Sequence, residues 1–118
     1  MSEARGQAFE VKSFDGPDEV MDFPNGHADV VKIGGKTLLS VRFEPGFRWS
    51  RHLAPMIGTE ACPTRHVLHV VSGRMGLRLS DGTETEVGPG EVVSIAPGHD
   101  SWTVGESPCL WFDYDPET

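Results

Sequence analysis

The last third of this sequence contains no lysine or arginine. Residues 81–118 carry nine acidic side chains, whereas residues 36–80 carry seven basic side chains and two acidic ones. The chain as a whole has a net charge of −8 over 118 residues. Proteins that bind nucleic acids need an excess of Lys and Arg to displace counterions from the phosphates. The charge balance therefore predicts no nucleic-acid partner.

Long hydrophobic runs are missing as well. The first ten residues, MSEARGQAFE, lack the basic segment followed by an apolar one that marks a secretory signal. Nowhere do about 18 apolar residues follow one another, as a transmembrane helix requires. These absences predict a cytoplasmic protein with no membrane partner.

Cysteine is scarce, with only Cys62 and Cys109 in the chain. Without an export signal, both are expected to be free thiols rather than a disulfide. Cys109 begins an apolar segment and is expected in the core. The sequence also lacks a G-x-S-x-G motif, a phosphate-binding loop and paired C-x-x-C segments, so common hydrolase, nucleotide-binding and zinc-ribbon signatures are absent.

What the sequence has instead is frequent glycine and proline, with short alternating segments between the turn signals. The alternation is clearest in Lys36 to Glu44 and before the hairpin signal Asp81-Gly82. Further strands are predicted over 66–71, 92–95, 102–104 and 110–114, and one helical turn at most over 18–21. Short antiparallel strands must close or sandwich to protect their edges. The pattern therefore predicts an all-β jelly roll or small barrel of one domain.

The turn framework resembles that of the cupin family, whose motifs are roughly G-x5-H-x-H-x3,4-E-x6-G and G-x5-P-x-G-x2-H-x3-N. Gly46, His52 and Gly73 match the first motif, and Gly90 and Gly98 match the second. The resemblance implies a double-stranded β-helix, a jelly-roll barrel of two antiparallel sheets, over residues 36–114. Residues 1–35 would then form an N-terminal arm and edge strand, and residues 115–118 a C-terminal tail. The family also implies a homodimer.

The ligand positions of the family are changed in this sequence. Ala54 stands where the motif has its second histidine, His66 replaces the glutamate and Ser101 replaces the last histidine. The resemblance implies that His66 points into the barrel. His99 lies two residues before the family position, and a shift of two along an extended segment keeps the same face. The interval between positions 54 and 66 is long for the family, so residues 55–65 are predicted to form an inserted loop that carries Cys62.

Four side chains are therefore candidate ligands of one divalent metal in the barrel pocket: His52, Cys62, His66 and His99. Imidazole and thiolate both suit first-row metals. Zinc is expected if Cys62 is a ligand, and iron, manganese or nickel otherwise. Two alternatives stay open: Cys62 is a small buried hydrophobe, or all four are separate polar residues in a cupin without a metal. His27 is interpreted as a loop residue, and His69 is predicted on the opposite strand face from His66.

Four further residues are candidates for contact with a substrate. Asp100 either orients a ligand imidazole, acts as a general base or caps the Pro97-Gly98 turn. Arg48 and Arg51 either draw a small anion to the site or belong to basic strands that face acidic ones. Trp102 either contacts the substrate from the pocket wall or is plain core.

Together these features predict a small metal-binding cupin that acts on a small polar or anionic organic substrate. The alternative is a cupin that binds or senses a small molecule without turnover, with a closed zinc site or no metal. The number of protein ligands separates them, because four ligands fill a zinc shell whereas three leave a position for substrate. Whether the protein is an enzyme is left open by the sequence.

Overall fold

The computed structural model of the protein describes residues 9–116. The described chain forms nine strands and two single-turn helices: β1 (Glu19–Phe23), β2 (Gly26–Ile33), β3 (Lys36–Phe43), α1 (Trp49–His52), α2 (Ala54–Ile57), β4 (His66–Ser72), β5 (Met75–Arg78), β6 (Glu84–Val87), β7 (Val92–Ile95), β8 (Asp100–Thr103) and β9 (Cys109–Tyr114). Within this range, neither helix has the length or apolarity needed to cross a membrane.

The strands form two antiparallel sheets. The larger sheet has the order β1-β2-β3-β9-β4-β7, and the smaller one has the order β6-β5-β8. Side chains alternate along the strands, so that β9 buries Cys109, Trp111 and Asp113 and leaves the intervening residues more exposed. The buried faces of both sheets form one core, in which Leu68 of β4 and Met75 of β5 are fully buried. The predicted all-β roll of two sheets is therefore confirmed.

The hairpin predicted at Asp81-Gly82 is also present, since β5 pairs with β6 on either side of it. The prediction of a helical turn over 18–21 is wrong, because residues 19–21 belong to β1. That strand exposes every residue except Phe23, so it carries no apolar alternation, and its pairing with β2 makes it a strand. Residues 1–35 thus contribute two strands to the large sheet. The parts of the predicted arm and tail at residues 1–8 and 117–118 lie outside the described residues.

The uneven charge along the sequence corresponds partly to ion pairs between neighbouring strands. Arg74 on the β5 side contacts Glu86 of β6 at 3.2 Å, and Arg78 contacts Glu84 at 3.9 Å. All four side chains are about half exposed, so each pair contributes little to stability. These contacts support the interpretation that basic strands face acidic ones.

Candidate metal centre

A cavity of about 150 Å³ borders the core between the two sheets. Much of its wall is apolar, including Phe23, Phe43, Trp49, Leu53, Ile57 and Trp111. The same cavity is bordered by Cys62, His66, His99 and Asp113. Four chemically reactive side chains thus meet in surroundings that are otherwise mostly hydrophobic.

Three separate elements deliver the cysteine and the two histidines. His66 is the first residue of β4, where it pairs with Ile95 of β7. His99 follows the Pro97-Gly98 turn and directly precedes β8. Cys62 lies in the inserted loop, which backbone hydrogen bonds tie to that turn: the Cys62 amide donates to the His99 carbonyl at 2.9 Å, and the Gly98 amide donates to the Cys62 carbonyl at 2.7 Å. This two-residue bridge places the thiol beside both imidazoles.

The donor atoms are close enough to share one ion. One ligand atom from each of Cys62, His66 and His99 lies within 4.8 Å of the others, and Cys62 Sγ lies 3.5 Å from His66 Nε2. A tetrahedral zinc ion with its usual bonds to sulfur and nitrogen separates those two ligand atoms by about 3.6 Å. Cys62, His66 and His99 can therefore hold a metal.

Hydrogen bonds orient both imidazoles toward the centre of this group. His66 Nδ1 lies 2.7 Å from Asp113 Oδ2, and His99 Nδ1 lies 2.7 Å from the Ala96 carbonyl oxygen. Because a carboxylate and a carbonyl only accept hydrogen bonds, each Nδ1 is the donor. Nε2 of each ring is thereby left for the cluster, an arrangement typical of metal-binding histidines.

Asp113 is the residue of this site that the sequence interpretation missed. It is 3% exposed and lies on the inward face of β9, two residues after Trp111. The sequence did carry a signal, because Asp113 shares a strand face with the apolar Trp111. An acidic residue on a buried, apolar face needs a buried partner. His66 is that partner, across the β4–β9 pair.

Electrostatics distinguish Cys62, in the cluster, from Cys109, outside it. Burial opposes ionisation of Cys62, but hydrogen bonds with His66 and His99 outweigh it and lower the pKa of the thiol to about 6. Burial likewise opposes protonation of His66, but its bonds with Asp113 and Cys62 raise the pKa of the imidazole to about 9. Cys109 experiences burial alone, which raises its pKa to about 12. Near neutral pH, the metal-free cluster is therefore a thiolate beside an imidazolium.

Two buried polar atoms beside the cluster have no hydrogen-bond partner among the described residues. They are Trp111 Nε1, a donor, and Asp113 Oδ1, an acceptor. Leaving such an atom unpaired costs roughly 1–3 kcal/mol. Both side chains border the cavity.

The structure does not bring His52 to the other three candidate ligands. It lies in α1 rather than at a strand end, and its Nδ1 accepts a hydrogen bond from the Arg48 amide at 3.1 Å. Its ring stacks on Phe47, with 5.8 Å between centroids. The helical turn carries this side chain away from the cavity, whose described lining does not include it.

The structure also directs Asp100, Arg48 and Trp102 away from the cavity. Asp100 accepts hydrogen bonds from the Ser50 amide at 3.0 Å and the Ser50 hydroxyl at 2.8 Å, and it pairs with Arg48 at 3.2 Å. The Arg48 guanidinium lies over Trp102, 4.6 Å from the ring centroid. Along β8, Asp100 and Trp102 alternate with buried Ser101. Their contacts with Arg48 and Ser50 hold α1 against the sheet.

Arg51 is exposed at the surface of α1. It does not belong to the described lining of the cavity. Ser101, at the position where the cupin motif has its last histidine, does border the cavity. The predicted substrate-binding arginines thus lie outside this cavity, and the predicted metal ligands Cys62, His66 and His99 border it.

We expect iodoacetamide to modify Cys62 much faster than Cys109 in chelator-treated protein at pH 7. Both cysteines are buried, but Cys62 is largely thiolate at that pH and borders the cavity, whereas Cys109 is a neutral thiol outside the described lining. The rate at Cys62 should fall as the pH drops through about 6. Peptide mass spectrometry after timed alkylation measures both sites. Equal rates at the two cysteines would contradict the assignment of a thiolate to Cys62.

No family model and no curated protein matches this sequence. Solved structures do match it. The polyketide cyclase RemF from Streptomyces resistomycificus is 24% identical with a TM-score of 0.59, over 80% of this chain and 66% of that one. A sugar phosphate isomerase of the cupin superfamily from Silicibacter pomeroyi is 14% identical with a TM-score of 0.66, over 92% of this chain and 76% of that one.

A third match is the Cupin_2 domain of an XRE family transcriptional regulator from Enterobacter cloacae. It is 17% identical with a TM-score of 0.51, over 70% of this chain and 80% of that one. At these identities the likeness concerns the arrangement of the strands. It agrees with the two antiparallel sheets and with the glycine framework around His52 and Gly73 in the sequence. The chain therefore has the fold of the cupins.

Proposed function

We propose that this protein binds one zinc ion through Cys62, His66 and His99 and uses the remaining coordination position to act on a small organic molecule. The observation that carries the proposal is the convergence of the three donor atoms within 4.8 Å of one another at the cavity. Three elements and a dedicated backbone bridge between Cys62 and His99 produce this convergence.

The chemistry of the donor set supports zinc over harder ions. A thiolate and two imidazoles are ligands that zinc accepts in tetrahedral sites, whereas magnesium, calcium and manganese favour oxygen. In the metal-free cluster, His66 Nε2 faces Cys62 Sγ at 3.5 Å. Asp113 and the Ala96 carbonyl hold the two rings in place by their Nδ1 atoms. The ligands thus need little rearrangement to receive the ion.

An enzymatic role is supported by the number of protein ligands. His52 lies outside the cluster, so three ligands remain, and catalytic zinc sites typically have three protein ligands and one open position. A zinc ion held by Cys62, His66 and His99 would polarise a bound oxygen or lower the pKa of bound water. The apolar walls of the cavity exclude water from the reacting group, and Ser101 supplies a hydroxyl at the cavity wall.

A non-catalytic binding or sensing role is the second candidate. The observation in its favour is the position of Asp100, which is engaged with Ser50 and Arg48 outside the cavity. Among the described residues that line the cavity, Asp113 is the only carboxylate, and it is held by His66. Turnover of a bound compound would favour the enzyme, and binding without turnover would favour the sensor. Homodimer formation stays a prediction.

Metal analysis of purified protein tests the proposal. Wild-type protein dialysed against zinc and then against buffer is expected to retain about one zinc per chain, because three ligands converge there. Cys62→Ser should lose most of it, since a neutral hydroxyl is a poor substitute for a thiolate. Cys109→Ser is the matched control and should retain the wild-type content.

Two results would contradict the proposal. One is wild-type protein that, after separate dialyses against zinc, iron, manganese, nickel and copper, retains none of them. The other is a Cys62→Ser variant that keeps the same zinc content as Cys109→Ser. The first would indicate a metal-free cupin, and the second would indicate that Cys62 serves packing alone.

A further inference from the structure

We infer that the cavity takes a neutral, mostly apolar molecule of about one ring that carries a hydroxyl group. This inference rests on the proposed zinc site for the polar end of the ligand, and on the cavity walls for the rest. It differs from the polar or anionic substrate that the sequence alone predicts. Three features of the cavity carry it: the composition of its walls, its net charge and its unpaired polar atoms.

Aromatic and aliphatic side chains form most of the wall. Phe43 and Trp111 pack edge to face with 4.6 Å between ring centroids, and Trp49 and Leu53 also line the space. The volume is about 150 Å³. A hydrophobic cavity of roughly this volume in an unrelated protein accommodates one benzene ring. The walls and the volume together favour a single ring.

The charges in the cavity give an anion no advantage. A zinc ion with the Cys62 thiolate keeps one positive charge, and the buried Asp113 carboxylate behind His66 cancels it. The described lining contains no lysine or arginine, and Arg48 is paired with Asp100 on another face. An anionic ligand would lose its hydration at a site where Cys62 and Asp113 already balance the charge of the zinc ion. A neutral ligand avoids that loss.

The unpaired polar atoms of two side chains that border the cavity favour a hydroxyl over other neutral groups. Trp111 Nε1 is a buried donor and Asp113 Oδ1 a buried acceptor, and neither has a partner among the described residues. A hydroxyl group both accepts and donates a hydrogen bond, whereas a ketone or an ether only accepts. The same oxygen suits the open position of a zinc ion.

Calorimetric titration with three compounds of similar size tests this inference. Zinc-loaded protein is expected to bind phenol at least about tenfold more tightly than toluene or benzoate. Toluene has the ring without the hydroxyl, and benzoate adds the negative charge. Benzoate bound as tightly as phenol would overturn the inference, as would toluene bound as tightly as phenol or no binding of phenol.

A charge placed at the cavity wall provides a second, independent test. Ile57 lines the cavity and is 51% exposed, whereas its neighbour Met56 is 63% exposed and lies outside the described lining. Ile57→Arg should raise the affinity for benzoate several-fold, because it supplies the missing cation. Met56→Arg carries the same charge on the same helix and should leave the affinity unchanged. Equal effects of the two variants would overturn the assigned position of the ligand.

Zinc content measured on the same samples separates this inference from the proposed function. Zinc retained with no preference for phenol overturns the inference and leaves the metal site intact. Protein without zinc overturns the metal site, and the titrations on that protein still decide the ligand class. In that case phenol preferred over benzoate supports the neutral apolar cavity, and benzoate preferred over phenol overturns it.

Discussion

Replacing His66 with alanine is expected to abolish zinc retention and to lower the melting temperature of the metal-free protein by roughly 10–20 °C. Zinc is lost because His66 supplies one of three ligands. Stability is lost because Asp113, which is 3% exposed, loses its ion-pair partner. Breaking a buried ion pair by removing one partner costs about 3–5 kcal/mol, and 1 kcal/mol corresponds to several degrees in a domain of this size.

The adjacent part of β4 provides the control for this experiment. His69 lies on the opposite face of the same strand, where its Nδ1 is 3.5 Å from the Tyr114 hydroxyl, and His69→Ala should keep its zinc. Removing Asp113 together with His66 should restore part of the lost stability, because no unpaired buried charge remains. Calorimetry and metal analysis measure both quantities. A His66→Ala variant as stable as His69→Ala would refute the buried ion pair.

Replacing Gly73 with alanine is expected to unfold a large fraction of the protein or to prevent its folding. Gly73 has a φ of 74°, and a Cβ built there lies 2.3 Å from the Pro108 carbonyl oxygen and 2.7 Å from Cys109 Cα. Both neighbours are backbone atoms, so neither moves without shifting the start of β9. The left-handed conformation alone costs roughly 1–2 kcal/mol for an L-residue, and the steric overlap adds to it.

Gly90 is the matched control for that substitution. It has a φ of 83°, and a Cβ there meets no atom within 4 Å. Gly90→Ala should therefore show the conformational cost alone. Denaturant titration of both variants measures the difference in the free energy of unfolding. Equal destabilisation would show that the approach of Pro108 to Gly73 is not rigid.

Strand periodicity and turn chemistry were sufficient to predict most of the fold. The alternation in Lys36–Phe43 and the Asp81-Gly82 hairpin depend on local rules, namely the period of two and the need for positive φ in tight turns. The predicted segment Val92–Ile95 is β7, with the same bounds. The bounds of β1, at the edge of the larger sheet, were not predicted, because its exposed residues show no apolar alternation.

The sequence by itself determined the all-β roll, because strand periodicity and turn positions are properties of neighbouring residues, and the resemblance to the cupins implied the inward direction of His66 and His99. Only the tertiary structure decided which side chains meet. The local turn at α1 takes His52 out of the group, the backbone bridge to His99 brings Cys62 into it, and Asp113 reaches His66 across 47 residues of chain. Such contacts depend on how segments that are far apart in the sequence pack together. The periodicity of a local segment does not specify this packing.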